Sequence, residues 1–577
     1  MTVEAVRGQR PRITLAIILL TGAAAALALR SFLEPSRRDG RTVLLEYAFV
    51  VFSAIALNYL TGQSFIRERI RSLLDVKWLI FIFAALLAVW SYRLGMYQFG
   101  GYDEGFLVNL AYHYLHGYKP ITDYPSTMPP LFMAGIRTVV LVLPFRWASL
   151  VMFSSLFGAV TALWFYGLFI MLRVPSHWAL SLTTAIELST MFVLPFWWYN
   201  NCTSISVLLL VVSVVCCLQS PRNTLAWVSL AISLGMTTSA KPNVALVCLT
   251  PCVLLVSRDR AQWLRAAVAF LGAISVAWII FSVAQMPPLA LLRSYREVSG
   301  SRGNPLQMYA FQQFQPWEAL ILAFFAGFLL ILYFDFFAKV AKRSLQSRQW
   351  RLLLAVSFLT ALTAFEMVCT NGETKNVDLI VLYGALVLLL LRVPSEKPIE
   401  PDGRSVLLTL TIFFAIWSGF FGIIHLRILT IGEGLFYQPL PTQRIQSGFL
   451  VGLDAGPRLL EIQKQVSDVL AKHPGSKVFF GPRLEFEAAV FGKELIPGLP
   501  VQWEPGSQYP ASRTPVLLEN LKRQDPDLLI FLKRDFTRMY SVGDYIREAP
   551  IYRAVLNEYP DLEIYIRQRG QEAGRIQ

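Results

Sequence analysis

The chain has 577 residues, of which 55% are hydrophobic and only 16% charged, and its formal net charge is +14. Such a composition excludes a wholly soluble enzyme and divides the chain between lipid and water. The positive residues are scattered between apolar runs and build no continuous basic face with interleaved aromatics, which argues against nucleic acid as a partner.

Taken in order, the chain begins with bases, an apolar run and an Ala-rich stretch at 23–28. Arg30 and Phe32 make a poor small-residue cleavage site, so an uncleaved first helix is expected. Runs of span length are expected near 13–30, 44–61, 77–94, 147–171, 178–196, 203–218, 225–239, 242–256, 264–284, 316–336, 351–370, 377–392 and 405–425. That makes about thirteen crossings of a roughly 30 Å hydrocarbon layer. The basic loops 67–77, 173–177, 258–265, 339–351 and 392–404, together with Arg222, then share one side, which should be the cytoplasmic one. The first loop, with Arg37, Arg38 and Arg41, goes outside against that rule.

The apolar stretch 131–144 is short and is interrupted by Arg137. Counting it as a span would invert every later basic loop, so it is expected as a helix in the outer interface. The N-terminus is then cytoplasmic and the end of the chain extracytoplasmic, in a multi-pass protein of the inner (plasma) membrane. Cys202, Cys216, Cys217, Cys248, Cys252 and Cys369 all fall in or beside apolar runs, as buried thiols do. They offer no disulfide framework or metal-binding spacing.

The expected fold class is a membrane all-α multispanning bundle over residues 1–425, followed by a soluble α/β domain over 426–577. In the tail, 477–480, 527–532 and 562–566 read as strands, and 457–471, 515–523 and 551–558 as helices. The tail has no nucleophile elbow or phosphate-binding loop. Binding, through a roof over the outer loops that helps choose the acceptor, is its expected work; a packing module is the plainer alternative.

Chemistry concentrates in the outer loop after the third span. It reads Gly100-Gly101-Tyr102-Asp103-Glu104-Gly105, an amphipathic stretch 106–115, then Gly117-Tyr118, Asp123-Tyr124 and Pro129-Pro130-Leu131. Two adjacent carboxylates where a span meets water can accept a proton from a hydroxyl or hold a divalent cation. The plainer reading makes Asp103 the cap of a helix starting at Glu104, whose charge suits a first turn. A second feature is the polar break Thr237-Thr238-Ser239-Ala240-Lys241-Pro242-Asn243 between two apolar helices. Lys241 there is either an anion ligand at the outer surface or a lysine snorkelling from a helix end. Glu187, near the middle of the fifth span, supports a competing reading as a proton-coupled transporter or lipid-linked sugar flippase. No internal repeat of the kind such carriers show is found.

Asp-Glu in the first outer loop, then Gly-Tyr-x-x-x-x-Asp-Tyr, then Pro-Pro-Leu before an apolar helix, resembles the polyprenyl-phosphate-sugar-dependent glycosyltransferases of the GT-C fold. The protein O-mannosyltransferase and aminoarabinose transferase relatives are the most similar in pattern. The resemblance implies inverting transfer of a sugar from a polyprenyl-phosphate donor to a protein, lipid or glycan acceptor. It assigns Asp103 as catalytic base, Glu104 as its partner or a metal ligand, and Lys241 to the lipid phosphate. Tyr118, Asp123 and Tyr124 of the second motif, with Arg293 and Arg296 of a later outer loop, are expected to bind substrate. A divalent cation, Mg or Mn, is admitted as cofactor. Trp197-Trp198-Tyr199-Asn200-Asn201 departs from the family by offering amides where relatives place an acid, which puts the metal in question. Glu366 and Lys375 match a substrate-contact segment only loosely.

Overall fold

The computed structural model describes residues 79–97, 99–174, 176, 179, 180, 183, 186, 187, 196–240, 260–301, 442–506, 508–533, 552–555 and 558–568. Lys241, Glu366, Lys375, the boundary at 425/426 and the spans expected near 13–30, 44–61, 242–256 and 316–425 lie outside these residues.

The first half is helical: α1 (Leu79–Gly95), α2 (Asp103–Leu115), α3 (Pro130–Val142), α4 (Trp147–Met171), α5 (Tyr199–Gln219), α6 (Thr224–Ala240), α7 (Arg260–Ala284) and α8 (Pro288–Ser301). Among the described residues, α4, α5 and all but the first residue of α7 are long and apolar enough to cross a membrane. Exposure supports that reading. Along α7, Trp263, Leu264, Leu271 and Trp278 lie open, an apolar stripe that water would not tolerate and a bilayer covers. By contrast, α5 is enclosed by its neighbours along nearly its whole length. Its Ser213 hydroxyl meets that of Ser229 on α6 at 2.8 Å. Close approach of α6 to α7 rests on Gly235, where a Cβ would stand 2.6 Å from Val276, as small residues permit between apolar helices.

With 13 residues, α3 is about 20 Å long and too short to span. It starts on Pro130 at N1, where a missing N–H costs nothing. Arg137, the interruption seen in the sequence, donates Nη1 to the Val283 carbonyl at 2.7 Å. A cation there suits the C-terminal end of α7. The Tyr114 hydroxyl donates to the Ala284 carbonyl beside it at 2.7 Å. The Trp147 indole donates to the Gly95 carbonyl at 3.0 Å, joining the end of α1 to the start of α4. These bonds gather α2, α3, the end of α1 and the end of α7 at one end of the bundle.

The last part of the chain forms a sheet of order β3-β4-β6-β5: β3 (Val478–Phe480), β4 (Leu528–Leu532), β5 (Tyr552–Val555) and β6 (Leu562–Arg567). The β3–β4 pair is parallel and the other two are antiparallel. Helices α9 (Pro457–Lys472), α10 (Glu487–Val490) and α11 (Thr514–Gln524) accompany it. Alternation along the strands sorts the two faces. Val478, Phe480, Leu528 and Ile530 pack with Leu459, Ile462 and Val466 of α9. Phe479, Leu529 and Phe531 pack with Leu517 and Leu521 of α11.

One expectation fails here. Residues 551–558, read as a helix, contain β5, whose Tyr552, Arg553, Ala554 and Val555 pair with Arg567, Ile566, Tyr565 and Ile564. A four-residue run satisfies either period, and an open strand edge beside it decided the outcome.

The two halves share one apolar core. Met96, Phe99, Phe106 and Phe132 from the helical end belong to the same cluster as Leu459, Phe480, Phe486 and Leu562. A short hairpin of β1 (Gln443–Arg444) and β2 (Asp454–Ala455) docks on the bundle. There the Asp454 N–H donates to the Met96 carbonyl at 3.0 Å and the Trp147 N–H to the Phe449 carbonyl at 3.1 Å.

Candidate active site

Helix α2 is the structural centre of the candidate site. It starts at Asp103 itself; Tyr102 is the N-cap residue and makes no side-chain capping bond. The plain reading of Asp103 as an N-cap is therefore corrected, because the helix starts one residue earlier than that reading requires. Asp103 is half-buried and Glu104 is only 4% exposed. Carboxylates in a first turn are favoured by the unpaired N–H groups there. Every residue from Glu104 to Tyr114 is buried, so α2 is an internal element and not a surface loop.

The C-terminal sheet region accounts for that burial. Asn109 donates Nδ2 to the Val501 carbonyl at 2.7 Å, and the Tyr112 hydroxyl donates to the Lys493 carbonyl at 2.9 Å. The Tyr102 hydroxyl donates to Glu504 Oε1 at 3.1 Å. The Arg483 guanidinium lies over the Tyr102 ring, 3.2 Å from Cζ to the centroid. Arg483 has φ +73°, a left-handed conformation costly for a side chain of this kind, and its Nη1 is buried with no hydrogen-bond partner. Phe486 packs on Phe99 with centroids 5.1 Å apart. Sequence reasoning missed Tyr102, Arg483, Phe486 and Glu504. The one signal was Gly105, a glycine inside a helical pattern, which marks close approach.

The expected site residues fall into two groups. Asp103 and Glu104 occupy the start of α2, under the sheet region. Tyr118, Asp123 and Tyr124 lie beyond its other end, and 12 helical steps put Leu115 about 18 Å from Asp103. There His113 stands edge-on to Tyr124 at 4.8 Å and against Tyr118 at 5.8 Å. Asp123 accepts the Lys119 N–H at 2.7 Å, closing its own turn. The Ser294 hydroxyl donates to the Ser126 carbonyl at 3.2 Å, bringing α8, with exposed Arg293 and Arg296, to this second group. Burial drives the His113 imidazole down to about 4; the Asn109 carbonyl opposes that shift and His116 adds to it. This ring is neutral near pH 7.

Trp197 to Asn201 packs against α2 and α3. The Trp197 indole donates to the Phe132 carbonyl at 2.8 Å, and Trp198 stands edge-on to Phe106 and Phe132. Asn200 and Asn201 are buried in the first turn of α5. Ala240, the residue before Lys241, is fully buried in the same cluster as Phe106 and Trp198. Among the described residues, no group of three or more His, Cys, Asp or Glu stands close enough to hold a metal. Glu187, on the other hand, is fully buried and accepts the Thr161 hydroxyl at 2.9 Å, tying its segment to α4.

No protein-family profile matches the chain, and no curated protein matches it. Among solved structures it is similar to ArnT from Cupriavidus metallidurans bound to undecaprenyl phosphate, at 12% identity and TM-score 0.49, over 84% of this chain and 97% of that one. The apo state of the same protein gives TM-score 0.46 at 12% identity over the same shares. An oligosaccharyltransferase from Archaeoglobus fulgidus gives 0.44 at 11%, over 79% of this chain and 70% of that one. These three scores lie below 0.5.

Proposed function

We propose that this chain is an integral membrane glycosyltransferase that moves a sugar from a polyprenyl-phosphate donor to an acceptor hydroxyl at the extracytoplasmic end of its bundle. The observation that carries the reading is the position of Asp103. It is a half-buried carboxylate in the first turn of an internal helix, where the apolar helices share one core with the sheet region.

In this reading Asp103 takes the proton of the acceptor hydroxyl as its oxygen attacks the anomeric carbon. The bond from that carbon to the phosphate oxygen breaks, its electron pair leaves with the lipid phosphate, and the sugar inverts. A base is most effective within hydrogen-bond reach of the proton and shielded from competing water, and the roof of residues 483–504 supplies the shielding. Glu104 stands next to the base as its partner. Lys241 meets the charge that develops on the leaving phosphate; the residue before it, Ala240, ends α6 buried in the core cluster that also holds Phe106 and Trp198. Tyr118, Asp123, Tyr124, Arg293 and Arg296, grouped near the far end of α2, serve remote parts of donor or acceptor. Residues 1–425 form the membrane domain and 426–577 the extracytoplasmic domain that faces the acceptor.

The test is donor turnover by the purified protein in lipid nanodiscs, supplied with a polyprenyl-phosphate sugar and a cell-envelope extract. Release of free polyprenyl phosphate that depends on the extract supports the reading; none with any acceptor fraction rejects it.

A further inference from the structure

Glu487 opens α10, the short helix that packs against α2. Its residue is 0% exposed, and neither carboxyl oxygen has a hydrogen-bond partner. It follows Phe486, whose ring lies so close to α2 that a Cβ on Gly105 would be 2.9 Å from Cδ1. Glu485, on the other side of Phe486, is half-buried and is approached by the Trp503 N–H at 3.4 Å. Two carboxyls thus flank the ring that wedges against the helix carrying Asp103.

A buried carboxyl with no partner is tolerated only in its neutral form. Burial pushes Glu487 up to about 8. Burial also raises Glu485, to about 7, against the opposing pull of backbone donors and Arg483. The groups on the elements around the wedge are Asp103, Glu104, Tyr112 and His113 on α2, Tyr102 before it, Arg483 and Lys493 on the same segment, and Glu504 and Tyr509 beyond. The one guanidinium among them, Arg483, is engaged on the Tyr102 ring.

We propose that Glu487 is a positioning residue: its bound proton lets the Phe486 segment seat on α2, and losing that proton loosens the helix that presents Asp103. That Asp103 is the base rests on the transferase reading; the seating itself does not. The sign follows from linkage. The seated state holds a proton that the unseated state has lost from about pH 4.5 upward, so seating weakens by about tenfold per pH unit and levels off near pH 8. Glu485 adds its own proton to the slope up to about pH 7.

Hydrogen exchange of the α2 amides in the nanodisc-embedded full chain, corrected for intrinsic rates, reads the seating directly and needs no substrate. The wild type should show an opening constant rising between pH 5 and pH 8 by about tenfold per unit or more. In Glu487→Gln, and in the apolar Glu487→Met should the amide impair folding, the part of that rise above pH 7 should vanish. A wild-type opening constant independent of pH, or a rise of unchanged steepness in both variants, overturns the proposal. If the exchange behaves as expected, the pH profile of donor turnover separates the two ideas. An alkaline decline removed by Glu487→Met joins the seating to catalysis; turnover absent at every pH rejects the transferase and leaves the wedge standing.

Discussion

Gly105 of α2 and Phe486 of the sheet region meet so closely that the glycine has no room for a side chain: a Cβ would stand 2.9 Å from Cδ1 of the ring. The two residues are far apart in sequence and two residues from Asp103 and Glu487 respectively or fewer, so this contact joins the candidate base to its roof. Gly105→Ala should push the ring back and cost about 1–3 kcal/mol of overpacking, less the small gain in helix propensity. Thermal unfolding in nanodiscs checks the cost, and weakened protection of α2 checks its place.

Tyr102 is held twice, by its hydroxyl on Glu504 and by the Arg483 guanidinium on its face. Tyr102→Phe removes only the hydroxyl bond and should cost about 0.5–1.5 kcal/mol. Tyr102→Leu also removes the cation–π contact, worth about 0.5–2 kcal/mol more. Equal stabilities for the two variants would remove Arg483 from the account of how the loop before Asp103 is fixed.

His113 is buried neutral, with its pKa driven down to about 4 from an ordinary 6.5. The unfolded ring binds a proton in that window and the folded ring does not. Stability contributed by the neutral ring is therefore present above pH 6.5 and is lost as pH falls toward 4, by about 1.4 kcal/mol per unit. His113→Gln should flatten this part of the pH–stability curve, measured by denaturant unfolding at fixed temperature.

Much of this arrangement is legible in the sequence. The apolar composition and length of α4 match the expectation for residues 147–171, and Pro130 at the start of α3 and the shortness of its apolar run fit a helix of 13 residues. Strand positions 478–480, 528–532 and 562–567 follow from runs of β-branched and aromatic residues. The strand at 552–555 does not, because four residues carry no decisive period and only the free edge of β6 defines it. Nor do Arg483 and Glu504, since their partner Tyr102 lies about four hundred residues away in the chain and no local pattern encodes so distant a contact. Asp103 and Tyr124 share one sequence loop, yet a helix inserted between them holds the two ends apart.

That separation has a kinetic consequence. Arg293→Ala, Arg296→Ala and Tyr118→Phe should raise KM for donor or acceptor with kcat kept within a fewfold, roughly the pattern of lost uniform binding. A fall in kcat with unchanged KM would place these side chains at the reacting atoms and contradict the two-group layout.

The central claim concerns one carboxylate. Asp103→Asn keeps shape and hydrogen-bonding size while removing the proton acceptor, so the variant should insert and unfold like the wild type. Its release of polyprenyl phosphate from a polyprenyl-phosphate sugar, in the presence of acceptor extract, should fall by about 10²–10⁴-fold. Turnover at the wild-type rate in a correctly folded Asp103→Asn protein would contradict the account.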